Sequence, residues 1–147
     1  MAARSAIASW DGSLQSGGGR IQLGNGLFEA PYSFGTRFHE GESGVNPEML
    51  LAAACAGSFS MALTAEFREI GYDSVHIETH VDVHLRKTDE GFEIGRIDIF
   101  AEAEIPDLPD NVFERIAYRA KQACPLANLA GGTEVSLQTR LMNSHAV

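Results

Sequence analysis

From Met49 to Ala65 the chain runs without a single charged side chain, and this stretch constrains the fold more than any other. It opens with helix-start signals. Asn46 can cap, Pro47 suits the first helical position, and Glu48 favours the positive end of the helix dipole. Gly71 is a natural stop. The pattern predicts a helix from Pro47 to about Ile70, roughly 24 residues and about 36 Å long. A helix that is apolar on every face is buried. A chain of 147 residues can hardly surround such an element alone, which implies a dimer that shares it. The run is Ala- and Ser-rich, and no uninterrupted apolar stretch approaches the ~20 residues needed to cross a bilayer. A core helix is therefore expected, not a membrane span.

The elements around this helix read mostly as strands. Ile7 to Trp10 and Arg20 to Leu23 are short strand-like runs separated by Ser-Gly-Gly-Gly at 16–19. Asn25-Gly26 signals a tight turn into Leu27 to Ala30, then Tyr32 and Phe34, which predicts a meander. Residues 35–45 read as a polar loop. From 75 to 85 the chain alternates: Val75, Ile77, Val81, Val83 and Leu85 face one way, His76, Glu78, His80, Asp82 and His84 the other. That is a half-solvated strand. Asp89-Glu90-Gly91 predicts a hairpin turn into a second strand, Phe92 to Ile105, whose alternation slips near Gly95 and predicts a bulge there.

Asp110 can cap a helix that carries Val112, Phe113, Ile116, Ala117 and Ala120 on one side. It should end near Cys124, because Pro125 disfavours helical geometry in the residue before it. A short helical piece from Leu126 to Ala130, Gly131-Gly132, a last strand marked by Val135, Leu137, Thr139 and Leu141, and a frayed tail after Met142 complete the reading. With no repeat or linker, residues 1–147 form a single α+β domain in the order meander, long buried helix, hairpin, helix, strand.

Charge and cysteine usage narrow the function. The formal net charge is −9, and no basic stripe interleaves with aromatics, so nucleic acid is not an expected partner. The N-terminal MAARSAIASWDGSL has no long apolar core and is not a secretory signal; the expected compartment is the cytoplasm, with no membrane association. The two cysteines, Cys55 and Cys124, are too few for a disulfide scaffold and are candidates for redox chemistry or inert packing.

Several clusters carry possible chemistry. His76, His80 and His84 recur at four-residue spacing, but strand residues four apart lie about 13 Å apart, so one ion cannot bind neighbours in this series; a solvated strand face is expected and no metal. The glycines at 17–19 match no phosphate-binding loop, and no cofactor is expected. Arg37 and Glu48 flank the polar loop and read either as two solvated charges or as an ion pair at the mouth of a pocket above the helix. Cys55 lies too deep in the long helix for the dipole to activate it, since that effect fades within the first turn. A thiolate there needs a nearby cation, for which Arg37 is the candidate. Cys124 ends a helix, where the dipole disfavours a thiolate. That suits a thiol that attacks only after its partner has been oxidised.

Four segments in order resemble one family. GVNPEMLLAAACAGSFSMAL, 44–63, is similar to the central-helix signature of the OsmC/Ohr family, whose usual form is G-T-N-P-E-[EQ]-L followed by A-A-x-A-x-C-F-[ST]-M-A-L. ASWDG at 8–12 and PYSFGTRF at 31–38 resemble the OsmC branch. KQACPLANL at 121–129 resembles the second-cysteine segment K-x-x-C-P-[VI]-[ST]. The resemblance covers almost the whole chain. It implies an intertwined homodimer in which each long central helix packs against its mate inside wrapped antiparallel sheets, with two active sites at the dimer interface, and reduction of organic hydroperoxides by a two-cysteine cycle reset by an external dithiol. In the family, the residues matching Arg37 and Glu48 hold the thiolate and orient the peroxide.

The chain departs from the pattern at the position that matters most. Ser58 stands where the family carries its peroxidatic cysteine, and Cys55 falls three residues earlier. A serine hydroxyl is barely ionised at neutral pH and has no sulfenic state, so either Cys55 has taken over or the activity is lost. Residues i and i+3 on a helix are neighbours, with Cβ atoms about 5–6 Å apart, so Cys55 sits one turn towards Glu48. A disulfide needs Cβ atoms about 3.5–4.5 Å apart, and whether Cys55 reaches Cys124 stays open at this point. Two functions follow. One is a hydroperoxide reductase with Cys55 as nucleophile, Cys124 as resolving thiol, Arg37 and Glu48 as the activating pair, and Ser58, Phe34, Phe38, Phe59 and Met61 near the substrate. The other is a peroxidase-inactive protein of the same fold that binds a small apolar ligand at the dimer interface.

Overall fold

The structure, a computed structural model, describes residues 3–126 and 133–142. The expected helical piece after Leu126, the Gly131-Gly132 pair and the tail after Met142 lie outside the described residues. The chain gathers into two compact units, residues 1–50 and 51–147, and the division falls within the long helix.

The first unit is built on the expected meander. Strands β1 (Ala6–Asp11), β2 (Gly18–Leu23) and β3 (Phe28–Tyr32) pair antiparallel in that order. Gly19 lies between Trp10 on β1 and Tyr32 on β3 in the register. A Cβ there would meet the Ser9 carbonyl oxygen at 2.0 Å and Tyr32 Cε1 at 2.7 Å, so only glycine lets the Trp10 and Tyr32 rings meet edge to face, with centroids 5.5 Å apart. Ile7, Leu27 and Phe28 stay exposed, and Ile21 is the one buried apolar side chain among this unit's described residues.

The expected polar loop at 35–45 begins with a short helix instead, α1 (Phe34–Phe38). Ser33 and Thr36 form a reciprocal capping box that satisfies two of the free backbone donors at its start, the Ser33 and Thr36 amides. The remainder of that segment is loop. It leads to α2 (Pro47–Glu69), whose start is as expected: the Asn46 side-chain oxygen accepts from the Met49 amide at 2.7 Å.

In the second unit, α2 buries a stripe at four-residue spacing, Cys55, Phe59, Leu63 and Phe67. Within the single chain the rest of the helix is not enclosed; Met61, for example, is 76% exposed. By length and composition α2 could cross a membrane, contrary to the expectation from uninterrupted apolar runs, because its leucines, methionines, alanines, Cys55 and Phe59 keep the mean hydropathy high while Gly57, Ser58 and Ser60 interrupt the run. Its stripe is nevertheless packed in a protein core. The helix stops at Gly71, with the Tyr72 amide returning to the Phe67 carbonyl at 3.0 Å.

Strands β4 (His76–Thr88), β5 (Gly91–Glu104) and β6 (Glu134–Met142) form the second sheet, with β5 central. The register slips between His84↔Arg96 and Leu85↔Ile94, so Gly95 is the extra residue of the expected bulge. The β4–β5 pair is antiparallel, but β5 and β6 run parallel, a correction to the all-antiparallel expectation. A parallel pair needs a crossover, and α3 (Asp110–Ala123) supplies it. Asp110 does not cap α3 as expected. Pro109 occupies the cap position without a side-chain bond, and Asp110 lies in the first turn, where its charge still favours the dipole. Phe113, Ile116, Ala117 and Ala120 of α3 pack with Phe59, Leu63 and Phe67 of α2 and with Ile97, Ile99, Ala101 and Ala103 of β5 in one core.

Candidate active site

Arg37 closes the last turn of α1, and Glu48 opens the first turn of α2. The Arg37 Nε and Nη2 both donate to Glu48 Oε1, at 3.0 and 2.7 Å. The carboxylate is well covered, 13% exposed, against 38% for the arginine side chain. The guanidinium carbon also stands 5.5 Å from the Phe38 ring centroid, and the Phe34 and Phe38 rings are 4.8 Å apart. Together with Trp10, Leu14 and Tyr32 these side chains line a cavity of about 340 Å³. It is an apolar pocket with one fixed cation at its wall, a shape suited to a small organic molecule with a polar end. Sequence reasoning named Phe34, Phe38 and Arg37 but missed Trp10, Leu14 and Tyr32. The signal for two of them was Gly19, a glycine inside a strand between two aromatic partners.

The thiols lie in the second unit. Cys55 and Cys124 are each 1% exposed and are not bridged. Cys55 belongs to the buried stripe of α2. Cys124 follows α3 with φ −73° and ψ 115°, the extended geometry that Pro125 imposes. The Ser58 hydroxyl lies 3.3 Å from the Cys124 sulfur. Burial, and secondarily the neighbouring Cys124, push the Cys55 thiol up, so both influences favour its neutral form. The structure thus brings Cys55, Ser58 and Cys124 together. Phe59 is sealed in the core, and Met61 lies on the open side of α2. The three β4 histidines are exposed, with His80 against Asp82 and His84 against Asp98.

The family model for OsmC-like proteins matches residues 39–140. This chain belongs to the OsmC-like family. It is 38% identical over 135 residues to the peroxiredoxin OsmC of Escherichia coli, covering 91% of this chain and 93% of that one. It is 29% identical over 125 residues to the organic hydroperoxide resistance protein OhrB of Bacillus subtilis, covering 83% of this chain and 89% of OhrB. The crystal structure of that OhrB shares the fold with a TM-score of 0.71 at 24% identity, covering 94% of this chain and 98% of OhrB. An OsmC-like protein of unknown function from Vibrio cholerae superposes with a TM-score of 0.73 at 16% identity, covering 97% of this chain and all of its own, 100%.

Proposed function

We propose that this protein is a thiol-dependent hydroperoxide reductase that works as a cytoplasmic homodimer, with Cys55 as nucleophile and Cys124 as resolving thiol. The observation that carries the reading is that Cys55 and Cys124, 69 positions apart in the chain, lie buried in one unit, with the Ser58 hydroxyl, one helical turn from Cys55, 3.3 Å from the Cys124 sulfur. Family membership and the names of the OsmC and OhrB relatives support the substrate class.

In this reading the Cys55 thiolate attacks the terminal oxygen of an organic hydroperoxide. The O–O bond breaks, the alcohol leaves with a proton, and Cys55 becomes a sulfenic acid. Cys124 then attacks the Cys55 sulfur. The S–O bond breaks, water leaves, and the disulfide forms. An external dithiol supplies the two electrons that restore both thiols. Because burial holds Cys55 neutral, the cycle needs a cation at the reacting sulfur, and Arg37, held by Glu48, is the residue proposed for that work. Phe34 and Phe38 would hold the organic part of the peroxide; Ser58 and Phe59 would border the reacting sulfur.

A second reading rests on a specific observation. Cys55 is both sealed and pushed towards its neutral form, as expected of a fold that binds a small apolar ligand and no longer turns over peroxide. Single-turnover oxidation of the reduced protein by an organic hydroperoxide, followed by thiol loss and intact mass, separates the two. Rapid loss of both thiols and a Cys55–Cys124 disulfide, absent in Cys55→Ser, supports the reductase. Thiols that persist under excess peroxide refute it and favour the ligand-binding protein.

A further inference from the structure

The Ser58 hydroxyl stands 3.3 Å from the Cys124 sulfur, and Ser58 lies one helical turn beyond Cys55 on the same helix. Cys124 itself closes the C-terminal end of α3, its amide bonded back to the Lys121 carbonyl. The carbonyl end of a helix repels negative charge, so a thiolate at Cys124 needs a compensating donor. A hydroxyl meets that need in either protonation state, because it both accepts and donates. Opposite a thiol it can accept the S–H; opposite a thiolate it can turn and donate its own proton.

We propose that Ser58 is a positioning residue for Cys124: its hydroxyl holds the Cys124 sulfur beside Cys55 and stabilises the thiolate that attacks the oxidised partner. The inference deepens the reductase reading and rests on it for the chemical step. In that step the Cys124 thiolate forms the S–S bond while the S–O bond of the Cys55 sulfenic acid breaks, and the hydroxide released takes up a proton to leave as water. Ser58 is neither oxidised nor consumed. Its removal therefore slows the conversion of the Cys55 sulfenic acid, once formed, to the disulfide.

Two measurements on the full chain test this. The first needs no peroxide. With Cys55 replaced (Cys55→Ser), Cys124 is the only thiol left, and its alkylation by iodoacetamide at neutral pH is followed by intact mass. Adding Ser58→Ala slows that reaction about ten-fold, the scale of a hydrogen bond to a charged group. Ser58→Thr, which keeps the hydroxyl, restores the original rate. A rate not lowered by Ser58→Ala overturns the proposal, whatever the protein does to peroxides. The second measurement follows the Cys55 sulfenic acid after one equivalent of organic hydroperoxide, trapped with a 1,3-diketone. In Ser58→Ala the sulfenic acid, once formed, persists about ten-fold longer than in the wild type; equal lifetimes overturn the assigned role. If wild-type Cys55 never reaches the sulfenic acid, the reductase reading falls, while the alkylation rate of Cys124 still decides the role of Ser58.

Discussion

Arg37 directs two nitrogens, Nε and Nη2, at a single oxygen of Glu48, at 3.0 and 2.7 Å. A lysine offers a compact point charge and cannot reproduce a planar contact of this kind. In the reductase reading, Arg37→Lys lowers peroxide consumption on the order of 10²-fold, the scale of losing one preorganised donor at a reacting centre. The stability cost is small, because partly exposed ion pairs contribute only ~0–1 kcal/mol. Steady-state peroxide consumption and thermal unfolding on the same preparation check both halves. A large drop in melting temperature would assign the pair to folding instead.

Placing a thiol at position 58 is the converse experiment. Ser58→Cys puts sulfur where the hydroxyl already approaches Cys124 to 3.3 Å. Oxidation of this variant with an organic hydroperoxide joins the introduced thiol to Cys124 in a disulfide and leaves Cys55 reduced. Peptide mapping under non-reducing conditions reads the connectivity. A Cys55–Cys124 bridge as the main product would mean that Cys55 outcompetes the closer position.

Much of this arrangement could be read in the residues beforehand, and the parts that could not have physical reasons. The caps of α2, the two faces of β4 and the bulge at Gly95 each follow from local pattern, because capping and alternation repeat over a few residues. Helix α1 escaped notice because five residues are too few to show a helical period, and its box closes with Thr36 where a Glu or Gln usually signals the motif. The parallel pairing of β6 leaves no trace in its own alternation, which has the same period in either direction. The meeting of Ser58 and Cys124, separated by 66 positions, depends on how α3 returns to the core; residue order did not disclose it.

Cys55 should behave as a slow thiol in the resting protein. Burial, and then Cys124, raise it, so alkylation at neutral pH is slower than for a free cysteine and keeps accelerating above ~8.5, the ordinary thiol value. The same shift links to stability. A group raised on folding contributes fully below its unfolded value and loses that contribution as pH rises through the folded one. Urea unfolding midpoints of the wild type therefore fall on the alkaline side, and Cys55→Ala flattens that fall. Identical alkaline limbs would show that Cys55 does not titrate in this range.

Asp98, on the outer face of β5, has the opposite sign. The Ser136 hydroxyl first, then Arg96 and His84, hold its carboxyl down to about 2, partly opposed by desolvation. A depressed carboxylate contributes stability above its unfolded value, ~3.9, and loses it as pH falls towards about 2. Asp98→Asn removes the acid-side slope across that window, and the difference from wild type shrinks in high salt because the site is open to screening. Urea titrations at several acidic pH values, with and without added salt, provide the check. A slope unchanged by the substitution would mean the Asp98 cluster adds nothing to the fold.

The open side of α2 leads to a prediction about assembly. Ala53, Ala54, Gly57, Met61 and Ala65 are exposed in the single chain, and a Cβ added at Gly57 would meet nothing within 4 Å. Small residues beside an exposed methionine form a surface on which a second helix can approach closely. An unpaired carboxylate buried there would cost several kcal/mol. The homodimer proposed for this protein therefore buries Met61. Met61→Glu converts the dimer to a monomer in light-scattering chromatography, and peroxide turnover falls with the dimer fraction if the active site needs both copies. Turnover that survives in a verified monomer would show that one chain carries the complete site, and a wild type already monomeric at working concentration would leave the apolar face of α2 to some other partner.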